Sequence, residues 1–254
     1  MNTLDKRTKI VATLGPASSD SEMIRALMLA GVNVFRINFS HAIHEEAAKT
    51  IAVIRNIRGE LGLPVAIMAD IKGPAVRLYG YSAALPIEAG TVLRIEGHTQ
   101  EGIEALEAPA GTVYTNLPDI DKLVDVGHLV LLMDGYFAGE VVGSSQNCIE
   151  VKIGNPGSLR PKAHLTLPNV DYPIPFLSEK DIRDIGFAAE HEVEYIALSF
   201  VRCKTDIEEV RRLVQRAKTE SGRKPNPLLV AKIETGRGLD NVVEILEAAD
   251  GIMV

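Results

Sequence analysis

The chain has 254 residues, 46% hydrophobic and 24% charged, the balance of an ordinary soluble globular protein able to bury a sizeable core. A formal net charge of −7 argues against a general nucleic-acid-binding surface but leaves room for a local Arg/Lys cluster that holds an anion. No apolar stretch approaches about 18 residues, so no membrane span is expected, and Cys148 and Cys203 are too few for a disulfide framework or a cysteine-rich zinc site.

The segment from Met1 to Arg7 lacks the apolar core of a signal peptide, which sets a cytoplasmic expectation. Ile10-Val11-Ala12 reads as a first strand and ends in Thr13-Leu14-Gly15-Pro16. Ser19-Asp20-Ser21-Glu22 has the pattern of a capping box and predicts a helix from Glu22 to Ala30, stopped at Gly31. Next comes Val34-Phe35-Arg36-Ile37-Asn38-Phe39-Ser40-His41, in which polar Arg36, Asn38 and Ser40 alternate with Phe35, Ile37 and Phe39. On an extended strand, alternate residues share a face, so a guanidinium, an amide and a hydroxyl would point the same way. Ala47, Ile51, Ile54 and Leu61 then fall at helical spacing, ended by Gly62 and Pro64. Val65-Ala66-Ile67-Met68 is a further strand, ending in Asp70-Ile71-Lys72-Gly73-Pro74.

Residues 76–170 break this rhythm. Short β-like runs (Val92 to Ile95, Leu129 to Met133, Phe137 to Val142, Ile149 to Ile153) are punctuated by glycine and proline, with no comparable helix. The alternation then resumes. Ser178-Glu179-Lys180-Asp181 caps a helix running toward Glu190, and Ile196-Ala197-Leu198 ends in Ser199-Phe200. Thr205-Asp206-Ile207-Glu208 caps a fourth helix, and Leu228-Leu229-Val230 ends in Lys232-Ile233-Glu234. Gly238 to Ala249 gives a fifth helix and Gly251-Ile252-Met253-Val254 a final strand. The predicted class is α/β: a partial (β/α)8 TIM barrel over residues 1–75 and 171–254, with a small all-β domain inserted at 76–170.

In such a barrel the polar strand ends converge on one face, where chemistry takes place. By residue type the collection suits phosphate and metal. Arg36 and Arg77 can fork onto phosphate oxygens. Lys232 is a compact cation for charge that develops during transfer. Glu234 and Asp70 are hard oxygen ligands. Each also has a plainer role: Lys232 and Glu234 can pair with each other, Asp70 can cap a strand end, and His41 can cap the following helix.

The ordered set Lys9-Ile10-Val11-Ala12-Thr13-Leu14-Gly15-Pro16-Ala17-Ser18, Arg36-Ile37-Asn38-Phe39-Ser40-His41, Asp70-Ile71-Lys72-Gly73-Pro74, Ser178-Glu179-Lys180-Asp181, Lys232-Ile233-Glu234 and Asp250-Gly251-Ile252-Met253-Val254 resembles the pyruvate kinase family. The resemblance implies transfer of a phosphoryl group from phosphoenolpyruvate to ADP, giving pyruvate and ATP in glycolysis. It implies that Arg36 and Lys232 bind substrate and act in catalysis, and that Glu234 binds Mg2+ (or Mn2+). Asn38, Ser40 and Asp70, with the carbonyl of Ile71, would surround K+. Asn38, Ser40, His41, Arg77 and Lys162 would lie on the nucleotide side. The inserted domain corresponds to a lid, and the family is usually a homo-oligomer, a tetramer. Neither nucleic acid nor membrane is an expected partner.

This sequence departs from the family pattern in places. Ile71 stands where threonine is usual, and Ala75 where an acid or a lysine is common. Met133-Asp134-Gly135 and Pro161 to Pro168 diverge within the lid. The family's second metal-binding aspartate and later strands lie beyond Val254, so the expectation is an incomplete sequence. The alternative is a truncated, non-catalytic chain that binds phosphorylated metabolites.

Overall fold

The computed structural model describes residues 6–99, 102–221 and 226–254, with side chains at 218–221 left aside; of the Met1 to Arg7 segment read above for a signal peptide, residues 1–5 lie outside the described residues. In chain order the elements are β1 (Val11–Thr13), α1 (Ser21–Leu29), β2 (Val34–Asn38), α2 (His44–Leu61) and β3 (Ala66–Ile71). Short strands follow: β4 (Leu78–Tyr79), β5 (Leu85–Ile87), β6 (Val92–Gly97), β7 (Thr112–Thr115), β8 (Leu129–Leu132), β9 (Phe137–Ser145), β10 (Cys148–Ile153), β11 (Gly157–Leu159) and β12 (Leu165–Thr166). The chain then forms α3 (Glu179–Glu190), β13 (Tyr195–Leu198), α4 (Lys204–Ser221), β14 (Leu228–Lys232), α5 (Gly236–Asp240), α6 (Val242–Ala248) and β15 (Gly251–Met253). It divides into two compact units, Met1–Pro74 with Pro175–Val254, and Ala75–Ile174.

The first unit is a partial (β/α)8 barrel. Its strands are parallel and ordered β1-β2-β3-β13-β14-β15. Alternation decides which side each residue serves. Phe35 and Ile37 of β2, Ile67, Ala69 and Ile71 of β3, Ile196 and Leu198 of β13, and Leu229 and Ala231 of β14 enter one core with Ile24, Met28, Ile51, Ile54 and Ile207 of the helices. The other face carries a smaller cluster, Met68, Ala197 and Val230, with Val34, Tyr195 and Met253 against it. Two residues further along β2, β3, β13 and β14, that same face presents Arg36, Asp70, Ser199 and Lys232. The site is thus the next layer of one sheet face, and pleat parity puts it there.

The helix ends refine the sequence reading. Asp20, not Ser19, caps α1: its carboxylate accepts the Met23 N–H at 2.8 Å, while the Ser19 hydroxyl turns back to the Gly15 carbonyl at 2.6 Å. Gly31 closes α1 at φ 99°, its N–H on Met28 and that of Val32 on Leu27, the Schellman pattern. Ser178 and Asp181 form the capping box expected for α3. Thr205 caps nothing, because α4 already begins at Lys204; Asp206 accepts the Arg202 N–H at 2.9 Å and closes the first turn. The expected helix from Gly238 to Ala249 is broken at Asn241 into α5 and α6, and Thr235 caps the first piece through the Gly238 N–H.

Gly73, which follows β3, lies at φ +64°, and a Cβ there would stand 2.5 Å from the Ser199 carbonyl oxygen. A side chain would meet both left-handed strain and a backbone clash. Gly73→Ala is expected to destabilise the barrel unit by at least about 2 kcal/mol in urea unfolding. Gly59→Ala, in open space on α2, is expected to stabilise it by about 0.5–1 kcal/mol. Equal midpoints for the two variants would refute the assignment.

The second unit is all-β apart from short turns at Ile103–Ala105 and Ile120–Lys122 among the described residues. Its main sheet runs β12-β8-β9-β10-β6-β7-β4, with β11 and β5 forming a separate ribbon. Leu93, Ile95, Val113, Val130, Leu132, Phe137, Val141, Ile149 and Val151 fill its core. Burial pushes the phenols of Tyr79, Tyr81 and Tyr172 up from the ordinary tyrosine value, and Glu104 adds to the effect at Tyr79. As pH rises past about 10, the unfolded chain releases these protons first. The stability they guard is intact below that value and is lost as pH climbs through the folded ones. We expect phenolate absorbance to show Tyr79, Tyr81 and Tyr172 ionising together with unfolding. Ordinary titration of these three phenols in the native state would contradict this.

Candidate active site

The site is built on the carboxyl ends of parallel strands, and Asp70 is its centre. Asp70 is 2% exposed. The Arg36 Nε donates to its Oδ2 at 2.5 Å, and the same guanidinium adds an ion pair through Nη2. The Lys232 Nζ stands 3.4 and 3.5 Å from its two oxygens. Two cations therefore share one buried carboxylate, which offsets the cost of holding it out of water.

Neighbouring groups fix the cations. Arg36 Nη1 donates to the Thr13 hydroxyl at 2.9 Å. Lys232 Nζ donates to Ser199 Oγ at 2.9 Å and lies 3.3 Å from Glu234 Oε1. Ser199 Oγ donates to the Ile71 carbonyl at 2.7 Å. Glu234 Oε2 accepts the Phe200 N–H at 2.9 Å, and Phe200 holds φ 57° to offer it. Lys232 and Glu234 do pair, as the plainer reading allowed. The cluster balances two positive against two negative side chains. An arriving phosphate would compete with Asp70 for Arg36 and Lys232.

Beside this cluster, β2 stops at Asn38 and the chain turns, so Ser40 is not a strand residue as its alternation suggested. The turn forms because Asn38 Oδ1 accepts the Ser40 N–H at 3.0 Å, while the Asn38 carbonyl accepts the His41 N–H at 3.2 Å. Asn38 lies opposite Asp70 in the register, which keeps the turn next to the cluster. His41 is exposed and Ser40 half-buried. The first turn of α3 braces both neighbouring loops. Lys180 Nζ donates to the Phe39 carbonyl at 2.6 Å, and buried Asp181 accepts the Gly73 N–H at 3.1 Å. Asp184, 1% exposed, holds Lys180 and His44 at 2.6 and 2.7 Å.

Arg77 and Lys162 belong to the second unit, where they meet each other. Arg77 Nη1 donates to the Lys162 carbonyl at 2.9 Å, and Lys162 Nζ donates to Glu104 at 2.7 Å. Lys162 borders a cavity of about 300 Å³ with Tyr79, Tyr81, Glu104 and Pro161.

For a divalent metal, Glu234 is the outward carboxylate of the cluster. Among the described residues no group of three or more His, Cys, Asp or Glu could hold an ion unaided. That donor set fits magnesium held by one carboxylate and completed by substrate oxygens and water, the usual habit of that ion. The Asn38 amide, Ser40 hydroxyl, Asp70 carboxylate and Ile71 carbonyl are oxygen donors of the kind a monovalent cation takes. With Arg36 and Lys232 both on Asp70, they fit such an ion only once one of those side chains has turned toward an anion.

Sequence reasoning left Thr13, Ser199 and Phe200 without roles, although each stands in a polar strand ending. Their partners come from neighbouring strands and become visible only when the register is known.

Residues 5–254 match the family model for the pyruvate kinase barrel domain. The pyruvate kinase of Chlamydia muridarum (strain MoPn / Nigg) is 37% identical over 248 residues, 98% of this chain and 50% of that protein. That of Chlamydia trachomatis serovar L2 is 37% identical over 253 residues, covering 98% and 49%. That of Staphylococcus haemolyticus is 37% identical over 254 residues, covering 98% and 41%. The chain spans about half the length, or less, of the curated relatives it matches. With the family model matched along nearly the whole chain and the barrel strands ending in these residues, the chain belongs to the pyruvate kinase family.

Proposed function

We propose that this chain carries the phosphoryl-transfer site of a pyruvate kinase, acting on phosphoenolpyruvate and ADP. The observation that supports it best is the Arg36–Asp70–Lys232–Glu234 cluster at the ends of β2, β3 and β14 in a barrel of this family. In this reading Arg36 leaves Asp70 to fork onto the phosphoryl oxygens, steadied by Thr13. Lys232 faces the oxygens on which charge grows as the bond from phosphorus to the enol oxygen breaks and the bond to the ADP β-phosphate oxygen forms. Phosphoryl transfer asks little more of a protein than this positioning and neutralisation. The enolate left behind takes a proton at its terminal carbon to become pyruvate. A divalent ion held by Glu234 would supply Lewis-acid neutralisation of substrate oxygens. Asn38, Ser40, Asp70 and the Ile71 carbonyl would take potassium, with His41, Arg77 and Lys162 toward the nucleotide. The 75–174 unit is the counterpart of the lid domain that the resemblance implies.

A second reading, a phosphometabolite-binding chain without turnover, draws on the absence, among the described residues, of an unaided metal-holding group. One experiment separates the two: pyruvate formation from phosphoenolpyruvate and ADP, with and without magnesium and potassium, beside calorimetric titration with phosphoenolpyruvate. Magnesium-dependent pyruvate formation supports the first reading, binding without turnover selects the second, and neither signal sinks both.

A further inference from the structure

Lys232 is the cation that the proposed reaction leans on most, and in this structure its ammonium is saturated. An ammonium has three protons to donate. Among the described residues its oxygen neighbours are Ser199 Oγ at 2.9 Å, Glu234 Oε1 at 3.3 Å and the two Asp70 oxygens at 3.4 and 3.5 Å. To touch a phosphoryl oxygen, Lys232 must release one of them. The distances rank the candidates: the two carboxylates are the looser contacts and the hydroxyl is the tight one.

Ser199 is built to stay. It is 5% exposed. Its hydroxyl has one proton, and the Ile71 carbonyl at 2.7 Å takes it in preference to Asp70 Oδ1 at 3.3 Å. Its lone pairs are therefore left for the Lys232 ammonium, which can only donate. Its backbone is fixed too, since Gly73 passes so close that a Cβ there would lie 2.5 Å from the Ser199 carbonyl oxygen. The next residue, Phe200, uses its N–H to hold Glu234. A single dipeptide thus sets both the cation and the carboxylate of the site.

We infer that Ser199 is a positioning residue for Lys232: its hydroxyl stays on the ammonium as the anchor while Lys232 trades a carboxylate contact for an incoming phosphoryl oxygen. The inference rests on the function proposed above for the substrate, but the anchor itself is a property of the free chain.

The test uses the whole chain with Ser199→Ala and Ser199→Cys, the second keeping the size of the side chain, and with Ser199→Thr, which restores the hydroxyl. Trace labelling with acetic anhydride, read by mass spectrometry, gives the reactivity of Lys232 relative to exposed Lys49 on α2. Loss of the anchor is expected to raise that ratio on the order of tenfold in the alanine and cysteine variants, with threonine near wild type. Calorimetric titration with phosphoenolpyruvate is expected to show affinity falling on the order of tenfold in the same two variants and recovering in the third. A general packing defect would not move one lysine against another. A labelling ratio unchanged in the alanine and cysteine variants overturns the inference, as does an unchanged affinity. If wild type does not bind phosphoenolpyruvate, the proposed function fails, and the labelling ratio alone then decides whether Ser199 anchors Lys232.

Discussion

Replacing Asp70 with alanine is expected to destabilise the barrel unit by about 3–5 kcal/mol, the range for removing one partner from a buried charge cluster. The carboxylate is 2% exposed, and the side chains that lean on it, Arg36 and Lys232, are 26% and 12% exposed. Without it, two cations remain close together with little water to screen them. Thr13, Ser199 and Glu234 answer only part of the lost interaction. Asp70→Asn keeps the volume and one acceptor, so its cost should fall between alanine and wild type. The mechanism makes a sharper claim through coupling. Lys232→Met in the Asp70→Ala background should recover part of the loss, because it removes one of the stranded charges, so the two changes will not add. Urea unfolding of wild type, both single variants and the double variant measures this directly. An Asp70→Ala cost under about 1 kcal/mol, or simple additivity, would remove Asp70 from the centre of the site.

Lys232→Met should have the largest effect on chemistry. If Lys232 meets charge that develops during transfer, its removal lowers turnover by roughly 10²–10³-fold, the usual consequence of losing one preorganised stabilising donor. The change should fall mainly on kcat, because the contact strengthens as the transition state forms. Arg36→Met should behave differently. Its guanidinium would grip the phosphoryl group before and during transfer, so KM should rise as well. Steady-state pyruvate formation with varied phosphoenolpyruvate separates the two patterns. A Lys232→Met enzyme within about tenfold of wild type, or a change confined to KM, would falsify the catalytic role given to Lys232.

The parallel strands were legible in the sequence because most are short apolar runs closed by polar residues, and because Arg36, Asn38 and Asp70 interrupt apolar surroundings where buried polarity needs a reason. The alternation of Arg36 and Asn38 with Phe35 and Ile37 gave the correct faces. Its extension to Ser40 failed because an Asn side chain can cap its own turn and end a strand without any change in hydrophobic pattern. The α4 start was misplaced for a related reason. Thr205 and Asp206 both look like caps, but the helix has already begun at Lys204, and Asp206 acts from within its first turn on the Arg202 N–H. In the second unit, β4 and β12 are two residues long, too short to carry any period. Ser199 shows the remaining gap. A serine after an apolar run is visible, but its bonds to Ile71 and Lys232 cross two strand boundaries and follow from register alone.

That register has a consequence for how this sequence can change. Charge and hydrocarbon sit on one sheet face in successive layers, and the opposite face is almost wholly apolar. Sliding β2 by one residue would turn Arg36 into the helix-packed core and bring Phe35 onto the face of Asp70. A single-residue insertion or deletion inside a barrel strand would therefore destroy packing and chemistry together. Length variation has to be absorbed elsewhere, in the connections between elements. The interruption after β3, where a hundred-residue β unit enters between Pro74 and Pro175, shows how much added chain a connection of this barrel accommodates while the strands on either side keep step.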